Sequence, residues 1–231
     1  PIFGSGPFCF SRKYQSKKGV AVSGQHYLAL AAPASAEIEV LRSRFLCTLT
    51  PASSDAAARE VWAGTKEQYR DARHHCLAFV IGPDRALRRA SDDGEPGGTA
   101  GAPMLDVLDG SGVSDIVAVV TRWFGGTLLG TGGLIRAYSD AVRAGLAAAQ
   151  TVRRELVVQQ RFTLPLASAG AVEAELRRRG FAIVSAEWEA DVTVTVGSND
   201  ATAATLPGIL AALTAGTVVP QPAGTRWIDV A

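Results

Sequence analysis

Between Asp115 and Tyr138 the chain passes from a nearly unbroken apolar run, Ile116-Val117-Ala118-Val119-Val120, through five glycines into a strongly periodic segment. No other passage constrains the fold as much. Residues apolar at every successive position suit a strand buried on both faces, which demands a layer above and a layer below. After the glycines, Leu134, Ile135, Tyr138, Ala141, Val142 and Leu146 recur at helical spacing and predict a helix from about Gly132 to Ala149. A central strand feeding a helix through a flexible turn belongs to a mixed α and β architecture. With 47% hydrophobic and 19% charged residues in 231, the chain has enough apolar surface to build such layers.

Flanking segments agree. Arg44 to Thr50 reads as a strand closed by Pro51, Ser53-Ser54-Asp55 offers N-cap chemistry, and a helix follows from Ala56 to about Ala72. Cys76 to Ile81 is a buried strand ended by Gly82-Pro83-Asp84, and Pro103 to Leu108 a short helix. From about Val152 the pattern becomes strand, helix, strand, strand, helix, strand. Its parts are Leu156 to Leu164, a helix capped by Ser168 and ending at Arg177-Arg178-Arg179-Gly180, a hairpin of Phe181 to Trp188 with Ala190 to Val196, a helix from Asn199 or Asp200 toward Leu213 interrupted by Pro207-Gly208, and Trp227 to Val230. The expected fold is α+β in two domains. Residues 26–150 form an α/β sandwich, its body starting near Glu37, and 151–231 a ferredoxin-like βαββαβ unit.

Charge divides unevenly along the chain. The total is +1, yet residues 1–25 carry Arg12, Lys13, Lys17 and Lys18 without an acid, so the remainder is net −3. Three of the four lysines sit in that segment, which reads as a leader or tail outside the fold and lacks the apolar core of a secretory signal. A slightly acidic body argues against broad electrostatic binding of nucleic acid or a membrane surface, so any anion contact must be a local patch. No apolar run approaches the roughly 20 residues of a membrane span. Cys9, Cys47 and Cys76 are odd in number and lack a C-x-x-C pair, which excludes a disulfide framework and fits a reducing cytoplasm.

Two segments carry candidate chemistry. Ser91-Asp92-Asp93-Gly94-Glu95-Pro96-Gly97-Gly98-Thr99 packs three carboxylates into four positions before a helix. Such a cluster repels itself unless a metal, an arginine or helix N–H groups offset it. As a functional feature it supplies Asp92, Asp93, Glu95 and Thr99. As a structural one it is an acidic turn capping the next helix. The second segment, Arg122 to Tyr138, places Gly125, Gly126, Gly130, Thr131, Gly132 and Gly133 before a helix N-terminus, between Arg122 and Arg136. Unpaired N–H groups, the dipole and two arginines suit an anion such as RNA phosphate. The alternative is that the glycines only permit a tight strand-to-helix turn. Neither the P-loop nor the dinucleotide fingerprint is satisfied.

Arg44, His74, His75 and Tyr138 are auxiliary candidates. Adjacent histidines on a strand face opposite ways and cannot share one metal without distortion, so no metal ligand set is assigned. No serine or cysteine stands out as a nucleophile.

Taken together, Arg73-His74-His75-Cys76, Ser91 to Pro96 with Gly98 to Gly101, and Gly125-Gly126 through Gly130-Thr131-Gly132-Gly133-Leu134 to Ala137-Tyr138 resemble the signature of the IMPACT/YigZ family in its bacterial two-domain branch. The resemblance is tight over Glu37 to Ala149 and looser beyond. It implies a first domain similar to domain IV of elongation factor G and to the second domain of a small-subunit ribosomal protein, and a second similar to ferredoxin-like translation-factor domains. It implies no cofactor and no established catalytic residue. The eukaryotic namesake's kinase regulation depends on an additional RWD domain and is not carried over. The expected function is a non-catalytic, translation-associated binding protein that contacts RNA or the ribosome, or a translation-factor partner. The competing expectation is a phosphate-handling or metal-assisted hydrolytic enzyme built on Asp92, Asp93 and Glu95.

Overall fold

The computed structural model describes residues 25–230. The first half holds β1 (His26–Leu30), β2 (Ala34–Val40), β3 (Ser43–Pro51), α1 (Asp55–Gln68), β4 (His74–Ile81), β5 (Leu87–Ser91), α2 (Gly101–Ser111), β6 (Val113–Ser114), β7 (Ile116–Trp123) and α3 (Gly130–Ala148). The second holds β8 (Thr151–Pro165), α4 (Leu166–Arg178), β9 (Ala182–Trp188), β10 (Asp191–Ser198), α5 (Asp200–Ala203), α6 (Leu206–Leu213) and β11 (Gln221–Val230). The lysine-rich leader, apart from Gln25, and Cys9 within it lie outside the described residues.

One antiparallel sheet has the order β2-β3-β7-β4-β5. Its central strand, β7, explains its own sequence. Val117 and Val119 face α1, where Phe79, Leu77 and Ala58 join them. Ile116, Ala118 and Val120 face α2 and α3, among Met104, Leu108, Tyr138 and Val142. With helices on both sides every position is buried, so alternation disappears. Edge strand β5 presents the opposite case: Arg88, Arg89 and Ala90 are exposed, and apolar patterning does not reveal it.

The second sheet runs β6-β1-β8-β10-β9, with β11 also pairing β8. β11 pairs with residues 153–161 of β8, while β1 takes 151–155 and β10 takes 158–165. A strand has two edges, so β1 and β10 share one edge end to end and β11 lies on the other. Within the chain's second half the order is therefore β11-β8-β10-β9. Its core gathers Phe162, Leu164, Val192, Val194 and Val196 against Leu176 of α4 and Leu206 and Leu210 of α6.

Local chemistry corrects two expectations. Ser168 lies inside α4 and donates to the Pro165 carbonyl at 3.1 Å, while Pro165 itself stands at the N-cap without a side-chain cap. The helix expected toward Leu213 is two helices. Asn199 caps α5 by accepting from the Thr202 N–H, and Pro207 opens α6 because its missing N–H costs nothing in a first turn.

At the junction of the sheets, Ser114 belongs to one sheet and Ile116 to the other, and Asp115 between them has φ +51°. Its buried carboxylate accepts from Tyr27 Oη at 2.6 Å, Arg154 Nη1 at 2.6 Å and the Gly82 N–H at 3.0 Å. Its carbonyl takes the Ala52 N–H at 3.0 Å. Tyr27 in turn meets the Trp227 ring edge-on at 4.9 Å. Asp115→Ala removes three bonds, one of them charged, and is expected to cost about 2–4 kcal/mol, read as a lower urea midpoint. Asp115→Asn keeps an acceptor and tolerates the left-handed backbone, so it is expected to cost less.

Candidate functional site

The three carboxylates of the acidic turn do not repel, because each is held by a different group. Asp92 Oδ1 accepts from the Ala100 and Gly101 N–H groups at 3.0 and 2.8 Å, and Oδ2 from Gly98 N–H at 2.8 Å. It thereby caps α2, whose own N-cap residue, Ala100, has no side chain able to do so. Asp93 pairs with Lys66 Nζ at 2.6 Å and accepts the His75 N–H at 2.8 Å. Glu95 Oε1 accepts from Arg122 Nη1 at 2.7 Å and from Tyr138 Oη at 2.6 Å. The Glu95 and Arg122 side chains are only 3% and 7% exposed. Thr99 Oγ1 closes the turn on the Pro96 carbonyl. Of the offsets the sequence suggested, arginine and helix N–H groups are both present, with lysine added.

The histidines face opposite ways. His74 stands opposite Arg122 in the ladder and turns toward the acidic turn, its Nδ1 donating to the Asp93 carbonyl at 2.9 Å. His75 is buried toward α1, its Nε2 donating to the Tyr69 carbonyl at 3.0 Å. Arg44 pairs with Glu37 and lies 4.7 Å from the centre of the Trp123 ring, on the face away from Arg122. Among the described residues no group of three or more His, Cys, Asp and Glu side chains is placed to hold a metal. Burial pushes the Cys47 thiol up to about 12 and raises that of Cys76 as well, so neither is a thiolate at neutral pH.

The two glycine-bearing segments meet in a cleft of about 440 Å³, formed by the start of β4, the acidic turn, the end of β7 and the start of α3. Of the sequence candidates, His74, Glu95, Arg122, Gly130 and Thr131 line it. Asp92, Asp93, Thr99, Arg44, His75, Tyr138, Gly125, Gly126, Gly132, Gly133 and the exposed Arg136 do not. Its wall is mainly apolar, and Phe124, Leu128, Leu129 and Leu134 supply much of it. Residue-type reasoning passed over these four. Two bulky residues inside a glycine-rich turn, Phe124 and Leu128, were the available signal, and both are exposed. Exposed Arg73 stands at the entrance.

The glycines have separate reasons. A Cβ on Gly125 would lie 2.0 Å from the Arg42 carbonyl carbon, so only glycine lets this turn cross β3. Gly126 and Gly130 have φ of +89° and +68°, where other residues are strained. At Gly133 a Cβ would press Leu129 at 3.0 Å. Gly132 has an ordinary φ and open space around its missing Cβ.

Stability depends on these carboxylates in calculable directions. Burial alone would raise the Asp92 pKa, but the N–H groups of Gly98, Gly101 and Ala100 outweigh it and hold the carboxyl below its ordinary value. Its contribution is complete above the unfolded pKa of roughly 4 and is lost as pH falls through the lower folded value. Asp92→Asn is expected to flatten acid unfolding below about pH 4, measured by circular dichroism. Arg122→Leu leaves Glu95 buried without its cation and is expected to cost about 3–5 kcal/mol in urea unfolding. A partner substitution, Glu95→Gln, made on that background is expected to recover part of the loss.

Comparison with known proteins agrees with the motif pattern. The family model of the Impact N-terminal domain matches residues 41–146. The IMPACT family member YigZ of Escherichia coli is 38% identical over 174 residues, covering 74% of this chain and 85% of that protein. The family member YvyE of Bacillus subtilis is 42% identical over 156 residues, 68% of this chain and 72% of its own. A hypothetical protein of known crystal structure superposes with a TM-score of 0.62 at 36% identity, over 85% of this chain and 96% of that one. The turn that buries Glu95, the β7 strand that carries Arg122 and the glycine-led helix α3 all fall inside the matched region, and the chain belongs to the IMPACT family.

Proposed function

We propose that this protein is a non-catalytic binding protein that works beside the translation machinery in the cytoplasm, contacting RNA through the cleft at the start of α3. The observation that carries the reading is how the charges are used. Asp92, Asp93 and Glu95 are committed to internal bonds, whereas the start of α3 carries no side-chain cap and faces a cleft entered past Arg73. An uncapped helix start with a cation beside it attracts phosphate. Carboxylates so occupied are poorly disposed to hold a catalytic ion or shuttle protons, which weighs against the hydrolytic alternative. Arg122 contributes by shaping the cleft wall, since Glu95 neutralises it.

The same reading treats the two halves as domains, 26–150 and 151–231, the second of ferredoxin-like type. Buried clusters that do not cross the boundary support it, the two of the first half reaching no further than Val142 and that of the second beginning at Phe162, as does the β11-β8-β10-β9 order. Pairing of β1 with β8 ties the domains across the boundary. Among the described residues no helix is long and apolar enough to cross a membrane.

With few cations at the cleft, binding depends moderately on salt. About two or three neutralised phosphates give a logarithmic salt slope of roughly −1.5 to −2 for single-stranded RNA. Co-sedimentation with ribosomes and fluorescence anisotropy with labelled RNA at low salt are expected to show association that Arg73→Glu weakens at least tenfold. Association unaffected by that substitution, or absent at low salt, refutes the cleft as the RNA contact.

A further inference from the structure

The first half of the chain is acidic overall, with 12 basic against 14 acidic residues between 26 and 150. Around edge strand β5 the sign reverses. Four arginines there are tied together by two carboxylates. Asp55, at the start of α1, pairs with Arg59 Nε at 2.7 Å within the helix and with Arg89 Nε at 3.1 Å from the strand. Asp109, near the end of α2, pairs with Arg85 Nη2 and Arg88 Nε, each at 3.3 Å. Asp84, in the turn before β5, accepts the Ala86 N–H at 3.2 Å and is ion-paired with none of the four.

These bonds identify which cations are in excess. Arg85 is committed to the end of α2, donating to the Leu108 and Asp109 carbonyls at 2.9 and 3.0 Å, and its charge balances Asp109. Arg59 balances Asp55 one helical turn away. Arg88 and Arg89 are the surplus, one on the α2 side of the strand and one on the α1 side, with side chains 48% and 56% exposed. Solvated ion pairs of this kind contribute about 1 kcal/mol or less, so a phosphate, which a guanidinium meets with two parallel hydrogen bonds, can replace them. β5 ends its sheet, and no strand covers its outer edge.

The same strand is continuous with the cleft. It ends at Ser91, opposite Leu77, and the turn that follows gives Gly94, Glu95 and Pro96 to the cleft wall. Arg73, at the entrance, directly precedes β4, in which Phe79 stands opposite Arg89. From residue 73 to residue 79 an extended chain covers roughly 20 Å, at about 3.4 Å per residue. A small anion cannot touch both ends of that distance, whereas a strand with a phosphate on every nucleotide can. We propose, resting on the RNA reading above, that Arg88 and Arg89 hold two further phosphates of the same RNA where it runs from the cleft along the β5 edge.

Anisotropy with a labelled single-stranded RNA of about 16 nucleotides, across a salt series, tests this. Arg88→Gln combined with Arg89→Gln is expected to weaken binding at low salt at least tenfold. Two lost phosphate contacts at about 0.7 each are expected to reduce the logarithmic salt slope by about 1.4, the remainder belonging to the cleft. The same charge change at the exposed Arg177 and Arg178 of α4 is expected to alter neither quantity, and urea unfolding to show that both double variants remain folded. Affinity and slope unchanged by the β5 pair overturn the proposal and leave the two arginines as guards against strand addition at a sheet edge. An equal loss from the α4 pair overturns it too, since net charge then accounts for the effect. In either case the cleft contact stands if Arg73→Glu still weakens binding. Failure of the RNA to bind at all overturns the two readings together.

Discussion

Burial of the Glu95 carboxylate is the constraint on which the rest of the first half depends. An ionised carboxylate taken out of water costs several kcal/mol unless hydrogen bonds and an opposite charge replace its hydration. Arg122 and Tyr138 supply both, and they come from the last residues of β7 and the middle of α3. One oxygen atom thus joins the turn after β5, the central strand and the main helix. The cleft exists because those three elements are held there, with Arg122 and Glu95 forming part of its wall. Asp115 acts in the same manner at the other junction, where it lets the chain leave the second sheet at β6 and enter the first at β7 while Arg154 and Tyr27 hold its charge.

This economy redistributes the roles of the charged residues. Carboxylates, arginines and histidines that suggest chemistry by their type are mainly structural: Asp92 caps α2, Asp93 anchors α1 through Lys66, and His74 and His75 secure the strand below. What stays open at the cleft is backbone at the start of α3, Arg73 at the rim and apolar side chains.

Much of the fold was legible in sequence where burial is two-sided or periodic. β7 and α3 are plain because one is packed on both faces and the other on a single stripe, and the strand and helix pattern after Val152 emerges from alternation in Val192, Val194 and Val196. Edge elements are not legible for the same reason. β5 and β2 are half solvated, and two-residue β6 is too short for any period. Ser168 resembles a cap by type, but a cap is defined by backbone position, which here belongs to Pro165.

Sequence alone determined the family, through three motifs in fixed order, two of them rich in glycine, and the class of the fold, through hydrophobic period. It also located the cleft's glycine segment, because glycine's conformational latitude is written in its identity. Tertiary structure decided which charges are free. The Glu95 and Arg122 pair spans 27 residues and the Glu95 and Tyr138 pair 43, and such separations leave no local pattern to read. It also decided that Gly125 is glycine to clear β3, whereas Gly132 has open space, a distinction that depends on the neighbours packed around each Cα.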